Sequence, residues 1–207
     1  MEVKNNPTME IVILETAERL FLEKGFALTS TTEIAKEVGC NQALIHYYYR
    51  TKENLFNHIF ETKFRQFFRS IFELDNVKGL SFNEKLTYII GSHFDMVRKN
   101  SKLPILIFNE FTRNPEMANS LKNKLEGVVS QITTSINSDL QNEIKAGRIR
   151  EISLIDLIFC IISSNISLFL ILPVASEILS LDNQQKEIII NHRRDENIRM
   201  ILNGIKP

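Results

Sequence analysis

Apolar residues recur at three- and four-residue spacing along nearly the whole chain, and no useful run of strict alternation interrupts them. That pattern predicts helices throughout. Ile13, Leu14, Ala17, Leu20 and Phe21 form the buried stripe of a first helix. Pro7-Thr8 opens it, Lys24-Gly25 closes it, and Phe26 is expected to fold back onto the core. Ser30 with Glu33 three residues later reads as a capping box, so a second helix starts at Thr31. It carries Ile34, Ala35 and Val38 inward and ends at Gly39, which supplies a positive φ for a sharp exit. Asn41 then caps a third, short helix with Leu44, Ile45 and Tyr49 inward. Gln42, Ala43, His46 and Tyr47 are left on its outer face. A fourth helix starts at Lys52 behind the cap Thr51, with Leu55, Ile59, Phe60, Phe64, Phe67, Phe68, Ile71 and Phe72 at helical spacing.

Beyond a loop at 75–79, Ser81 and Glu84 form another capping box, opening a helix with Leu86, Ile89, Ile90, His93, Phe94 and Val97. An apolar helix over 103–111 follows, and Pro115 stands in the first turn of a long helix reaching about Lys145. Residues 157–176 are a run of twenty without a charge, long enough to span a bilayer. Ser163, Ser164, Asn165 and Ser167 at its centre, Pro173 near its end and the absence of flanking basic residues favour a helix buried in a core or a subunit interface. A last helix, opened by Asp182 or Asn183, carries Ile188, Ile189, Ile190, Ile198 and Ile201. The expected fold is all-α with about nine helices: a three-helix head over 1–53 and a helical body over 54–207. Pairing of the last two helices with their copies would give a two-fold, four-helix interface, hence a homodimer.

A helix, a glycine turn and a second helix make the helix-turn-helix arrangement, whose second helix enters a DNA major groove. Charge narrows this reading without supporting it. The chain has 25 basic and 25 acidic side chains, and residues 1–52 hold seven acids against six bases. Any DNA contact must therefore come from a few placed groups. Cys40 and Cys160 are far apart in helical patterns, the pattern of reduced thiols, and the four histidines are isolated. No nucleophile elbow, phosphate loop or metal-ligand spacing is present, so no catalytic residue, metal or cofactor is expected. The first residues are polar and charged and lack a signal-peptide pattern, which predicts a cytoplasmic protein.

The stretch from Ile13 to Leu55 resembles the DNA-binding head of the tetracycline-repressor (TetR) family. Gly25, the Ser30-Thr31-Thr32 cap, Ile34-Ala35-Lys36 with Gly39, and the tyrosine-rich helix followed by Lys52 fall in register without gaps. The resemblance implies a dimeric, ligand-responsive transcriptional regulator on double-stranded operator DNA, most simply a repressor. The alternative is a dimeric small-molecule-binding protein with weakened DNA binding. Carried over by position, Ser30 and Thr32 bind a phosphate at a helix N-terminus, and Gln42 and Ala43 read bases. Gln suits adenine N6 and N7, and Ala a thymine methyl. His46, where the family commonly has tyrosine, and Tyr47 stand at backbone-contacting positions, and Lys52 matches a phosphate-binding lysine. Arg50 and Lys36 are secondary. In the body, Phe64, Phe68, Phe94 and Phe108, with the polar groups His93, Asn109 and Asn165 on apolar faces, are the candidate contacts for a small, largely apolar effector.

Overall fold

The structure, a computed structural model, describes residues 8–72 and 79–207, except for the side chains of residues 64, 66–72, 128, 131 and 132. Among the described residues the chain forms nine helices and no strand. They are α1 (Met9–Lys24), α2 (Thr31–Val38), α3 (Gln42–Tyr49), α4 (Lys52–Phe72), α5 (Phe82–Lys99), α6 (Leu103–Arg113), α7 (Pro115–Lys145), α8 (Leu154–Ile178) and α9 (Asn183–Gly204). The all-α expectation holds. Phe64, Phe67, Phe68, Ile71 and Phe72, part of the expected stripe of the fourth helix, have side chains outside the described residues, as does most of the expected loop at 75–79.

The chain divides into two compact units, one running to Phe64 and including Ile105–Leu125, the other made of Arg65–Pro104 and Glu126–Pro207. In the first unit, α1 buries Ile13, Ala17, Leu20 and Phe21. Ile34, Ala35, Ile45, Leu55, Phe56, Ile59 and Phe60 are buried in the same unit. Phe26 does turn back: its ring lies 5.5 Å from that of Phe21 and 4.8 Å, edge-on, from that of Phe56. Two glycines make the turns. Gly25 at φ 83° ends α1, and Gly39 at φ 77° ends α2. The Cys40 N–H bonds the Ala35 carbonyl at 2.9 Å and the Gly39 N–H that of Lys36 at 3.2 Å, which is the Schellman closure. A substituted Cβ would meet no atom at either glycine, so the requirement is the left-handed backbone alone.

In the second unit α5, α8 and α9 pack on one another. Phe82, Leu86, Ile90, Leu140, Ile149, Leu157, Ile161, Ile201 and Ile205 make its larger core cluster, and Phe94, Val97, Phe169 and Ile190 a smaller one. Ser81 and Glu84 form the full reciprocal capping box at α5, and Asp182 and Gln185 do the same at α9. Gly91 permits a close approach: a Cβ there would sit 2.8 Å from Nη2 of Arg194. Arg194 reaches Asp95 through two hydrogen bonds of 2.9 and 2.8 Å, and this partner holds its guanidinium above the usual arginine range.

Helix α8 passes through Pro173 instead of stopping there, because only one N–H is lost and the following turn carries on to Ile178. It is long and apolar enough to cross a membrane, with mean hydropathy 2.4 over its most apolar stretch. Its apolar surface is divided. Leu157, Ile161 and Phe169 are buried in the unit, whereas Ile155, Phe159, Ile162, Leu170, Ile171, Val174 and Ile178 face outward. Ile155, Phe159 and Ile162 recur every three or four residues, as do Ile171, Val174 and Ile178, with half-buried Ile166 between the two sets.

Candidate nucleic-acid interface

The three helices of the head set the candidate DNA-reading residues in two groups. On α2, Ser30 Oγ accepts the Glu33 N–H at 3.1 Å, as a cap should. The reciprocal half of the expected capping box is not made, because the Glu33 carboxylate pairs with Lys24. That lysine holds the Glu33 carboxyl below the usual carboxylate range. The anionic charge beside the N-terminus of α2 is thereby matched by a lysine one turn-loop away, and Ser30 stays exposed.

Asn41 caps α3, its Oδ1 accepting the Ala43 N–H at 2.9 Å. Ile45 and Tyr49 are buried, and the Tyr49 hydroxyl donates to the Glu10 carbonyl at 3.1 Å. Burial pushes the Tyr49 phenol up to about 12, so it stays protonated and structural. On the opposite side Ala43 and His46 are exposed and Tyr47 is 70% exposed, its ring 5.2 Å from that of Tyr48. Of the outer face anticipated for α3, Ala43, His46 and Tyr47 are outward whereas Gln42 is half-buried, and Leu44 is half-buried instead of fully inward.

Gln42 is not free. Its Nε2 donates to Thr31 Oγ1 at 2.9 Å, its Oε1 accepts from Thr32 Oγ1 at 3.1 Å, and Nε2 lies 3.5 Å from His46 Nε2. His46 Nδ1 donates to the Arg50 carbonyl at 2.9 Å. Arg50 sits at φ 66°, a backbone that side-chain-bearing residues rarely adopt. The imidazole thus ties down a strained turn between α3 and α4, a role that spacing alone could not show. Among the described residues, Lys36 and Arg50 are exposed cations of the head with no acidic group at ion-pair distance.

Lys52 is half-buried and committed inward. Its Nζ donates to the carbonyls of Phe26 and Thr29 at 3.0 Å each and stands 4.2 Å from the centre of the Phe26 ring. One of its three N–H groups remains for a phosphate. Charge-assisted bonds to carbonyls contribute about 1.5–3 kcal/mol each in favourable cases. Replacing Lys52 by Ala is therefore expected to lower the unfolding free energy by about 2 kcal/mol, read by thermal unfolding followed by circular dichroism. An unchanged midpoint would show that water replaces the ammonium at no cost.

The candidate effector residues belong to both units. Phe108 and Asn109 are exposed on α6 in the first unit, whereas Phe94 fills a core position 5.3 Å from the Phe169 ring in the second. Phe64 and Phe68 have side chains outside the described residues. His93 and Asn165 do meet: Asn165 Nδ2 lies 3.0 Å from His93 Nδ1 and 2.9 Å from the Ile90 carbonyl. Asn197, a residue the sequence reading passed over, completes the cluster by donating to Asn165 Oδ1 and to the Ser164 carbonyl at 2.9 Å each. Its own Oδ1 is buried with no partner. The signal was there: Ile190, Asn197 and Ile201 share one helical face, so an asparagine in a charged segment sits on the inward stripe.

Comparison with known proteins agrees with this geometry. Residues 13–59 match the model of bacterial regulatory proteins, tetR family. The fatty acid metabolism regulator protein of Bacillus subtilis is 23% identical over 181 residues, covering 86% of this chain and 92% of that protein. Among solved structures, the transcriptional regulator FadR from Bacillus subtilis in complex with stearoyl-CoA superposes with a TM-score of 0.67 at 20% identity, covering 94% of this chain and 98% of that one. The ketosteroid transcriptional regulator KstR2 of Mycobacterium tuberculosis gives a TM-score of 0.72 at 14% identity, covering 98% and 97%. Residues 13–59 are thus a head of the tetR family of bacterial regulatory proteins, carried on a chain whose fold is like that of the compared structures over nearly its whole length.

Proposed function

We propose that this protein is a cytoplasmic homodimeric repressor, released from its operator by a largely apolar small molecule of the long-chain acyl thioester class. The observation that carries the DNA half is the exposed face of α3, where Ala43, His46 and Tyr47 stand outward behind a capped N-terminus. Residues 1–53 read DNA, with Ser30, Thr32, Tyr47 and the third N–H of Lys52 directed to the backbone and Gln42 and Ala43 to base edges, while His46, its Nδ1–H held by the Arg50 carbonyl, stands beside Gln42. Residues 54–207 take the effector and pair the protomers through α8 and α9. Support for the acyl class is the stearoyl-CoA complex of the like-folded Bacillus subtilis FadR, together with the similarity to a fatty acid metabolism regulator over most of both chains. The outward stripe of α8 supports pairing, since seven large apolar side chains between Ile155 and Ile178 are otherwise left to water. The effector favours a dimer state of low operator affinity, and by linkage DNA weakens effector binding by the same factor.

A gel-shift titration on the promoter DNA beside its own gene tests the whole reading. Binding is expected to fall steeply with salt, because it rests on phosphate contacts. Adding stearoyl-CoA is expected to weaken it about tenfold or more, a coupling within the usual allosteric range. Binding indifferent to stearoyl-CoA would reject the acyl class, and no binding at low salt would favour a ligand-binding protein that has lost DNA recognition.

A further inference from the structure

The Gln42 amide has two N–H donors and two acceptor lone pairs, and two threonines on the neighbouring helix already take one of each. Thr32 donates its hydroxyl to Oε1, and Thr31 accepts from Nε2. What remains is one N–H and one lone pair, the complement of adenine N7 and N6–H. The remaining N–H is turned toward His46 Nε2, 3.5 Å away, a contact long enough for a base edge to displace.

The orientation of that amide is itself determined. His46 Nδ1 faces the Arg50 carbonyl, which can only accept, so Nδ1 carries a proton, and in that tautomer Nε2 is an acceptor. Turning the Gln42 amide over would set Oε1 against that acceptor nitrogen, lone pair to lone pair. The Arg50 carbonyl therefore selects the His46 tautomer, the tautomer selects which end of the Gln42 amide lies beside it, and Thr31 and Thr32 hold that choice from α2. Thr31 is half-buried at the first position of α2 and has no other side-chain partner among those described.

We propose that Thr31 is a specificity-determining positioning residue: it touches no base, but by fixing the Gln42 amide it decides which base edge that glutamine can read. The inference rests on the DNA-binding reading above. Without Thr31 the amide is held only by Thr32, whose hydroxyl can donate or accept, and by the long 3.5 Å contact to His46, so it turns over more readily and presents either a donor or an acceptor. Base preference relaxes at one position, while phosphate contacts and overall affinity for DNA stay as they were.

The test is selection of bound duplexes from a randomised double-stranded DNA library by the wild type and by T31V, T31S and Q42A, with thermal unfolding of each. Q42A locates the base pair read by Gln42. The expected result is that T31V loses about fivefold in preference at that same pair, the factor of one lost hydrogen bond. It keeps wild-type affinity for nonspecific duplex and a wild-type melting midpoint, and T31S, which restores the hydroxyl, recovers the preference. The proposal is overturned if T31V keeps the wild-type preference at the pair that Q42A erases. It is equally overturned if T31V weakens all sequences alike together with a lower melting midpoint, which would make Thr31 a folding residue. Enrichment of no sequence by the wild type would instead reject the DNA-binding reading itself.

Discussion

A glutamate in place of Phe159 is expected to split the protein into monomers and to remove binding to a two-half-site operator, with the fold of the single chain left intact. Phe159 is 62% exposed in the protomer, so charge there meets water and leaves the core of the second unit untouched. In a two-fold interface each copy would bring its own glutamate, and two desolvated like charges replace two phenylalanines. Burial of one such ring contributes about 1.5–3 kcal/mol, and the unpaired buried charges add several kcal/mol more. At about 1.4 kcal/mol per factor of ten, the dimer weakens a thousandfold or more. Operator affinity should follow, because coupling two heads multiplies affinity by about 10²–10⁴ through effective concentration. Sedimentation would then report one chain, 24.0 kDa, where the proposed wild-type dimer would sediment at twice that mass. A Phe159→Glu protein that stays dimeric and binds its operator would place the interface elsewhere.

The same stripe shows what patterning can and cannot foresee. Residues 157–176 are so apolar that any helix made of them must cover more than one face, and the structure divides those faces between a core and an outward stripe. The division follows from the neighbours: α5 and α9 pack on α8, and its buried residues Leu157, Ile161, Asn165 and Phe169 recur at four-residue spacing along one face. Local signals were legible to the residue. Ser30, Asn41, Ser81 and Asp182 cap helices, and Gly25 and Gly39 take the positive φ that their turns require. These depend on three or four consecutive residues, which is why spacing suffices.

Where a side chain had a choice of partners, spacing failed. Glu33 lies at the correct interval from Ser30, yet Lys24 from another helix takes its carboxylate. Lys52, read as a phosphate contact, holds the Phe26 and Thr29 carbonyls first. Gln42, expected on the outer face of α3, is half-buried, because its threonine partners come from eleven and ten residues earlier in the chain. Phe94 satisfied the pattern of a pocket residue and of a core residue equally well, and its full burial against Phe169 is a property of the packing. The effector contacts stayed illegible for that reason: an aromatic stripe states that a face is apolar, not whether a ligand or a neighbouring helix covers it.

Acidification is expected to destabilise the body through His93. The ring is buried, its Nδ1 faces an Asn165 N–H and so must act as the acceptor, and burial pushes its pKa down from the usual value to about 4. In the unfolded chain the same imidazole titrates near about 6.5. Between those two values the unfolded state holds a proton that the folded state lacks, so stability rises with pH across the window and is lost as pH falls. The slope approaches about 1.4 kcal/mol per pH unit, which amounts to about 2 kcal/mol between pH 7 and pH 5. Other groups titrate toward the acid end, so the measurement is a difference. Urea unfolding of wild type and of His93→Gln at pH 7, 6 and 5 isolates the histidine, because a glutamine can still accept from Asn165 but cannot take a proton. The wild type should lose about 2 kcal/mol more than the variant over that range. Equal losses would mean that the imidazole is protonated in the fold, with Nδ1 donating and Asn165 turned over. The turned amide would set its N–H groups against that of Asn197, whose Oδ1 already lacks a partner. Such an arrangement multiplies unsatisfied buried groups, each costing about 1–3 kcal/mol, and that cost is why the neutral ring is the state the cluster selects.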